Sequence, residues 1–179
     1  DIKYRDVNGD GIIDSNDQTA IGYSTAVPEI YYSFHLGAEW KGLGFDAMFQ
    51  GTANYSAVLN TKSMFWPLIN NTTLSNHYYE NRWTPENQNA KYPRLSSQSN
   101  ANNYQTNTIW LADRSFLKLR NLLVAYTFPK SQTRFADLKV FVQGTNLFSL
   151  DNIHFADPEQ LGIAYPSTRS YWAGIKLNF

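Results

Sequence analysis

The sequence predicts an all-β fold built of antiparallel, up-and-down strands. Apolar and polar residues alternate with a period of two in five separate segments. Aromatic residues make up 16% of the 179 residues and charged residues only 17%, a composition typical of strands and loops. No window of about 11 to 18 residues shows sustained helical periodicity with a cap at both ends. The five alternating segments are therefore expected to be strands.

The first two expected strands, at 30–41 and 44–54, form a hairpin. In the first, the even positions from Tyr32 to Trp40 are apolar and the odd positions are small or polar. The same alternation resumes in the second strand after a short connection that contains glycine. Glycine in a short connection between two alternating segments is typical of a β-hairpin.

The third expected strand, at 114–128, changes phase in its middle. Leu119 lies at an odd position, whereas the apolar residues from Leu122 onward lie at even positions. One extra residue near Arg120 and Asn121 restores a common facing, so the sequence predicts a β-bulge there. With the bulge, the apolar side chains of this strand also lie on one face.

The last two strands are expected at 138–149 and 170–179, and the connections alternate in length. The connection at 55–113 and the connection at 150–169 are long, whereas the others are short. Outer-membrane barrels combine short periplasmic turns with long outside loops and strands of about 9 to 11 residues. The pattern therefore favours a membrane β-barrel over a soluble sandwich, in which two sheets bury their apolar faces. Five strands cannot close a barrel, which needs about eight, so the chain is expected to be a piece.

The two faces of these strands are expected to contact different surroundings, lipid on one side and an aqueous interior on the other. Aromatic rings near strand ends suit the belts at membrane interfaces; they are Tyr31, Tyr32, Trp40, Phe45, Tyr126, Phe128, Tyr171 and Phe179. Polar side chains on the opposite face are expected to meet water, a plug or substrate in the lumen; they are His35, Glu39, Asp46, Gln50, Lys118, Lys139, Gln143 and Lys176. The chain is expected to form a wall between lipid and an aqueous interior.

Charge and residue content exclude several functions. The 15 Lys and Arg residues balance the 15 Asp and Glu residues, which does not favour binding to nucleic acid. The absence of Cys excludes disulfides, thiolate metal sites and Cys nucleophiles. The three histidines are far apart, and no Gly-x-Ser-x-Gly motif or Gly-rich phosphate loop occurs. The sequence predicts no enzyme.

An acidic loop near the start has the spacing of a calcium loop. Residues 6–17 place oxygen-bearing side chains at loop positions 1, 3, 5, 9 and 12, with glycine at position 6. This predicts a structural Ca²⁺ site with ligands Asp6, Asn8, Asp10, Ile12 (through its carbonyl), Asp14 and Asp17. The alternative is a solvated turn of Asx residues that binds nothing strongly.

The two long connections carry polar and aromatic side chains. In the first, aromatic rings lie beside many asparagines, a combination that suits sugar or peptide binding. The alternative, favoured for any single residue, is a loop whose aromatic residues form its own small core. In the second, Asp157-Pro158-Glu159 is expected to be a solvated turn.

Several short motifs follow one another along the chain. They are the acidic loop at 6–17, Lys41-Gly42-Leu43-Gly44-Phe45-Asp46, Arg82-Trp83-Thr84-Pro85-Glu86-Asn87, Tyr92-Pro93-Arg94-Leu95, Phe116-Leu117-Lys118-Leu119-Arg120-Asn121, Ala125-Tyr126-Thr127-Phe128-Pro129, Gly144-Thr145-Asn146-Leu147-Phe148 and Tyr165-Pro166. In this order the motifs resemble the C-terminal part of the SusC/RagA family of TonB-dependent outer-membrane transporters. The resemblance covers essentially the whole chain.

The resemblance implies that the strands form the C-terminal part of a transmembrane β-barrel of about 22 strands with a plugged lumen. It implies uptake of glycans, oligosaccharides or peptides across the outer membrane of a Gram-negative bacterium. The implied partners are a SusD-like surface lipoprotein, the TonB complex, the plug and the rest of the barrel, and membrane lipid. Residues 1–27 and the loops at 55–113 and 150–169 are then extracellular, 28–179 supply the strands, and the C-terminus is periplasmic. The competing hypothesis is a secreted, calcium-stabilised β-sandwich that binds carbohydrate or serves in adhesion.

Overall fold

The structure, a computed structural model, describes residues 1–161 and 165–179. Its strands are β1 Ile30–Trp40, β2 Leu43–Ala53, β3 Ser56–Val58, β4 Leu111–Asp113, β5 Phe116–Phe128, β6 Asp137–Asp151 and β7 Ser170–Asn178. Its helices are α1 Lys62–Phe65, α2 Asn76–Glu80 and α3 Lys130–Thr133, with 3-10 turns at Ser15–Asp17 and Ile69–Asn71. Among the described residues, no helix is long and apolar enough to cross a membrane.

The long strands form one antiparallel five-stranded sheet in the order β1-β2-β5-β6-β7. Their positions differ from the expected segments by at most two residues at either end. β6 extends to Asp151 because Ser149 and Asp151 still pair with Lys118 and Phe116 of β5. The expected all-β, antiparallel fold is confirmed.

The predicted bulge lies at Arg120. Met48 of β2 pairs with Asn121 and Phe49 pairs with Leu119, so Arg120 is the extra residue of β5. On the other side, the register between β5 and β6 also shifts at this level, where Asn146 has a positive φ of 50°. The bulge places the apolar residues before and after Arg120 on the same face of the sheet.

A two-residue turn at Lys41 and Gly42 connects β1 to β2. Both residues have positive φ, 48° and 86°, as the tight turns of twisted hairpins require. A Cβ atom on Gly42 would lie 2.6 Å from the carbonyl oxygen of Thr127. Glycine is therefore required here both by conformation and by the close approach of β5.

One face of the five-stranded sheet is apolar in every strand and exposed. Phe34 is 43% exposed and Ile175 is 70% exposed, although both occupy positions that a sandwich would bury. Among the described residues, the other sheet is the pair β3–β4, with three residues in each strand. This exposure contradicts the β-sandwich alternative. Other exposed residues of the same face are Leu36, Trp40, Leu43, Phe45, Val124, Val140, Val142, Leu150, Tyr171 and Leu177.

The connection at 55–113, expected to be a loop, contains regular structure. It holds β3, α1, α2 and β4, and Ser75 caps α2 by accepting a hydrogen bond from the backbone N–H of Tyr78. Helices of four or five residues make little more than one turn, so they leave no periodic pattern in a sequence.

Contacts divide the chain into two compact units. One contains Asp1–Ala26 and Ser56–Asp113, and the other contains Val27–Tyr55 and Arg114–Phe179. The long connection thus belongs with the N-terminal segment. Hydrogen bonds explain the grouping, because the backbone N–H of Ile2 donates to Asn103 at 2.9 Å.

Candidate functional site

The polar face of the five-stranded sheet collects all eight polar residues that the sequence predicted to share it. Directly paired residues of antiparallel strands lie on the same face. Gln50 pairs with Lys118, and Lys139 pairs with Lys176. The alternation along each strand then places His35, Glu39, Asp46 and Gln143 on this face. Of these, His35 and Asp46 bind each other, with 2.6 Å between Nε2 and Oδ2.

Lys118 is not open to water on this face. Its side chain is only 5% exposed, and its ammonium lies 2.6 Å from Asp157 Oδ1 and 2.7 Å from Glu159 Oε2. The expectation that Asp157-Pro158-Glu159 is a solvated turn is therefore wrong, since the Asp157 side chain is only 10% exposed. The turn covers Lys118 because an ammonium removed from water must be paired with opposite charge.

Arg120, the bulge residue, extends the same ionic cluster. Its Nε donates to Gln50 Oε1 at 2.8 Å, its Nη1 donates to Asn146 Oδ1 at 3.1 Å, and its Nη2 contacts Glu159 Oε1. Sequence reasoning did not include Arg120 among the polar-face residues. The phase slip was the available signal, because the extra residue of a bulge is not bound by the alternation of its strand.

Arg114 binds the backbone of the same turn. Its Nε donates to the carbonyl oxygen of Pro158 and its Nη2 donates to that of Glu159 at 3.0 Å. Its Nη1 donates to the hydroxyl of Tyr55 at 2.8 Å, and the guanidinium stacks over that ring. We call Arg114, Lys118 and Arg120 the cationic row, and residues 157–159 the acidic turn.

Both acids of the acidic turn are held in their ionised form. Burial on its own raises the pKa of Asp157, but hydrogen bonds from Lys118 and from backbone N–H groups outweigh burial and lower the pKa below its ordinary value. Burial on its own also raises the pKa of Glu159, but the hydrogen bonds from Arg120 and Lys118 outweigh burial and lower the pKa. The interactions that lower these two pKa values stabilise the turn fully above pH 4.5, the ordinary Glu value, and this contribution is lost as the pH falls through the lowered pKa values.

The acidic loop at 6–17 is a compact, exposed turn held by its own backbone. Asp6 accepts from the N–H groups of Gly9 at 2.6 Å and Gly11 at 2.8 Å. Asp17 closes the loop by accepting from the N–H groups of Asp14 at 2.8 Å and Val7 at 2.7 Å. These hydrogen bonds, that of Asp14 first, lower the pKa of Asp17. The hydrogen bonds that close the loop therefore favour the ionised form of Asp17.

The expected calcium ligands lie in this loop without forming an evident cage. Gly11 has a φ of 83°, as expected for the sharp turn at loop position 6. The Asn8 side chain donates to Asp10 at 3.0 Å, and Asp10 accepts from the N–H of Ile12 at 2.8 Å. Within the described ranges, no three His, Cys, Asp or Glu side chains converge as metal ligands do.

Aromatic residues of the long connection form a buried core of their own. Trp110 is fully buried, and its ring stacks on Tyr92 at 5.5 Å and on Tyr78 at 6.0 Å between centroids. Burial raises the pKa of Tyr92 to about 12. Six buried residues make this core: Leu59, Met64, Tyr78, Tyr92, Tyr104 and Trp110. These buried rings pack against one another, in agreement with the alternative that the loop's aromatic residues form its own small core. Trp83, in contrast, is 39% exposed.

The curated proteins that this chain resembles along nearly its whole length are TonB-dependent receptors. No family model matches. TonB-dependent receptor P26 of Formosa agariphila is 27% identical over 206 residues, covering 99% of this chain and 19% of that protein. TonB-dependent receptor P3 of the same organism is 24% identical over 195 residues, covering 98% of this chain and 19% of that protein.

Solved structures agree with these relatives. The RagAB peptide transporter superposes with a TM-score of 0.69 at 28% identity over 94% of this chain. The RagAB peptide importer in its "closed-closed" state gives 0.70 at 29% over 95%, and in its "open-open" state 0.68 at 30% over 94%. These matches confirm the resemblance to TonB-dependent receptors of the RagA type. The chain spans about a fifth of the length of each relative, which is consistent with a C-terminal portion of such a receptor.

Proposed function

We propose that this chain forms the C-terminal part of the wall of an outer-membrane β-barrel of about 22 strands that imports nutrients in a TonB-dependent manner. The observation that best supports this proposal is the five-stranded sheet, which has one continuous, exposed apolar face and one polar face. In a bilayer the exposed face meets hydrocarbon, so that its burial in lipid stabilises insertion.

The edges of the sheet support the same proposal. Among the residues that the structure describes, β1 pairs only with β2 and β7 pairs only with β6, so each has one edge with no strand of this part of the chain beside it. Backbone N–H and C=O groups cannot remain unpaired inside hydrocarbon, and membrane sheets therefore close into barrels. We propose that further strands of the same barrel complete both edges.

The connections suggest the orientation. The turn at Lys41 and Gly42 and the short α3 connection lie at one end of the sheet, which is also the end that β7 reaches at Asn178. Barrels of this class have short turns on the periplasmic side. We therefore propose that the C-terminus is periplasmic, and that residues 1–27, 55–113 and 150–169 are extracellular.

Partners and substrate follow from the resemblance. We propose a SusD-like surface lipoprotein over the extracellular end, a plug in the lumen and energy supplied through the TonB complex. The substrate is a glycan, an oligosaccharide or a peptide. We propose a role in transport and not in catalysis, which is supported by relatives that are named receptors and transporters.

Fractionation and uptake test this function together. The full-length protein is expected in the outer-membrane fraction and to require detergent for extraction. Cells that lack it are expected to lose uptake of a labelled oligosaccharide or peptide pool, and restoring the gene is expected to restore uptake only when TonB is present. Recovery of the protein in the aqueous fraction without detergent would instead favour the secreted module.

We also propose that the loop at 6–17 binds Ca²⁺ in a structural role. The support is the loop spacing, the hard oxygen ligands and the lowered pKa of Asp17. A bound cation would relieve the repulsion among the four aspartates of this loop.

A further inference from the structure

The acidic turn makes contacts of the kind that an extended peptide makes with a receptor. Within three residues it supplies two carboxylates, from Asp157 and Glu159, and two backbone carbonyls, from Pro158 and Glu159. Arg114 binds both carbonyls, while Lys118 and Arg120 bind the carboxylates. Side-chain charge and backbone are thus recognised together.

Two members of the cationic row, Arg114 and Arg120, are also held by residues outside the acidic turn. Gln50 and Asn146 bind two nitrogens of Arg120, which leaves Nη2 for Glu159. Tyr55 binds Nη1 of Arg114 and stacks under its guanidinium at 4.7 Å, which leaves Nε and Nη2 for the turn. Groups that are oriented before a ligand arrives bind it at a smaller entropic cost.

Charge divides unequally between the two pieces. The cationic row supplies three cations, Lys118 and Arg120 from β5 and Arg114 from the segment before it, and the acidic turn supplies two carboxylates; in the described part of the chain no other carboxylate forms an ion pair with the row. If the turn moved away, Lys118 and Arg120 would lose their carboxylate partners and Arg114 would lose two carbonyl acceptors. Another anionic ligand of similar spacing could replace it.

We infer that the cationic row is a binding site for acidic peptides, and that the acidic turn occupies it as a built-in ligand. The ligand class is a peptide with carboxylate side chains two residues apart and free backbone carbonyls on the middle residue and on the second acidic residue. This inference rests on the proposed importer function and specifies one substrate class for it. The acidic turn then excludes weak ligands and yields to a peptide that binds the same groups better.

Binding in detergent tests the inference without any need for transport. In the full-length protein, residues 157–159 are replaced by Gly-Ser-Gly through D157G, P158S and E159G. We expect the variant to bind acetyl-Asp-Pro-Glu-amide at least ten-fold more tightly than acetyl-Asn-Pro-Gln-amide in calorimetry, while the unmodified protein shows little binding of either. Adding K118M to the variant is expected to abolish the preference for the acidic peptide.

Folding and transport are measured separately, so that the outcomes remain distinct. Each variant must keep the heat-modifiable mobility of an assembled barrel, and a variant that fails is replaced by D157N with E159Q. An assembled variant that binds both peptides equally overturns the inference. Loss of TonB-dependent uptake with acidic-peptide binding retained contradicts the importer function alone.

Discussion

The two compact units use aromatic residues in opposite ways. In the unit that contains the long connection, Trp110, Tyr78 and Tyr92 are buried against one another. In the unit that contains the five-stranded sheet, Trp40 and Tyr171 are mostly exposed on the apolar face. Under the proposed function, water around the first unit favours burial of its rings in a core, whereas lipid around the second leaves its rings no reason to be buried. The difference in burial fits two units that fold in different solvents.

The largest effect is expected from removing the central ring of the aromatic core. Trp110→Ala leaves a cavity among stacked rings and should lower the stability of the long connection by about 3 to 5 kcal/mol. Hydrogen exchange at α2, which packs Tyr78 into the core, measures the loss. Trp83→Ala is the matched control, because Trp83 is already exposed, and it should cost much less. Equal losses of stability in the two variants would contradict a buried core centred on Trp110.

A smaller effect should distinguish the two faces of one strand. Phe34→Arg places a charge on the apolar face and should destabilise the assembled barrel by about 2 to 4 kcal/mol if the residue lies near the bilayer midplane. His35→Arg, one residue along, places its charge on the polar face and can keep the pairing with Asp46, so it should cost little. Urea unfolding in lipid vesicles gives both values. If both substitutions cost the same, the apolar face does not meet lipid.

The smallest and most local effect is expected at the calcium loop. At a calcium concentration ten times the Kd, binding contributes about 1.4 kcal/mol to the loop. Adding a chelator should therefore speed hydrogen exchange within residues 1–27 and leave the exchange of the five long strands unchanged. Magnesium at the same concentration serves as the control cation. Identical exchange with calcium and with chelator would show that this loop is a turn without a metal.

The sequence predicted the sheet well because each strand separates two environments. Alternation in β1 and β2 is strong enough to place both strands, and the slip in β5 locates the bulge at Arg120. The helices of the long connection escaped prediction because one turn of helix carries no period. Long strands could be predicted because they repeat their alternation several times, whereas the one-turn helices could not.

The ionic cluster could not be predicted from the sequence for a different reason. Lys118 was expected on the polar face, but Asp157 and Glu159 lie about forty residues away along the chain. Only the fold brings them to the same ammonium. Acidic residues in a turn are usually solvated, so a local pattern gave no signal of burial.

The bulge at Arg120 adds a residue to β5 without changing the facing of the residues on either side. Because Arg120 is the extra residue, Leu119 and Asn121 already lie on opposite faces, as neighbours in a regular strand do. Deleting Arg120 would therefore leave Lys118 on the polar face and Leu119 on the apolar face. The deletion would instead remove the contacts that the guanidinium makes with Gln50, Asn146 and Glu159.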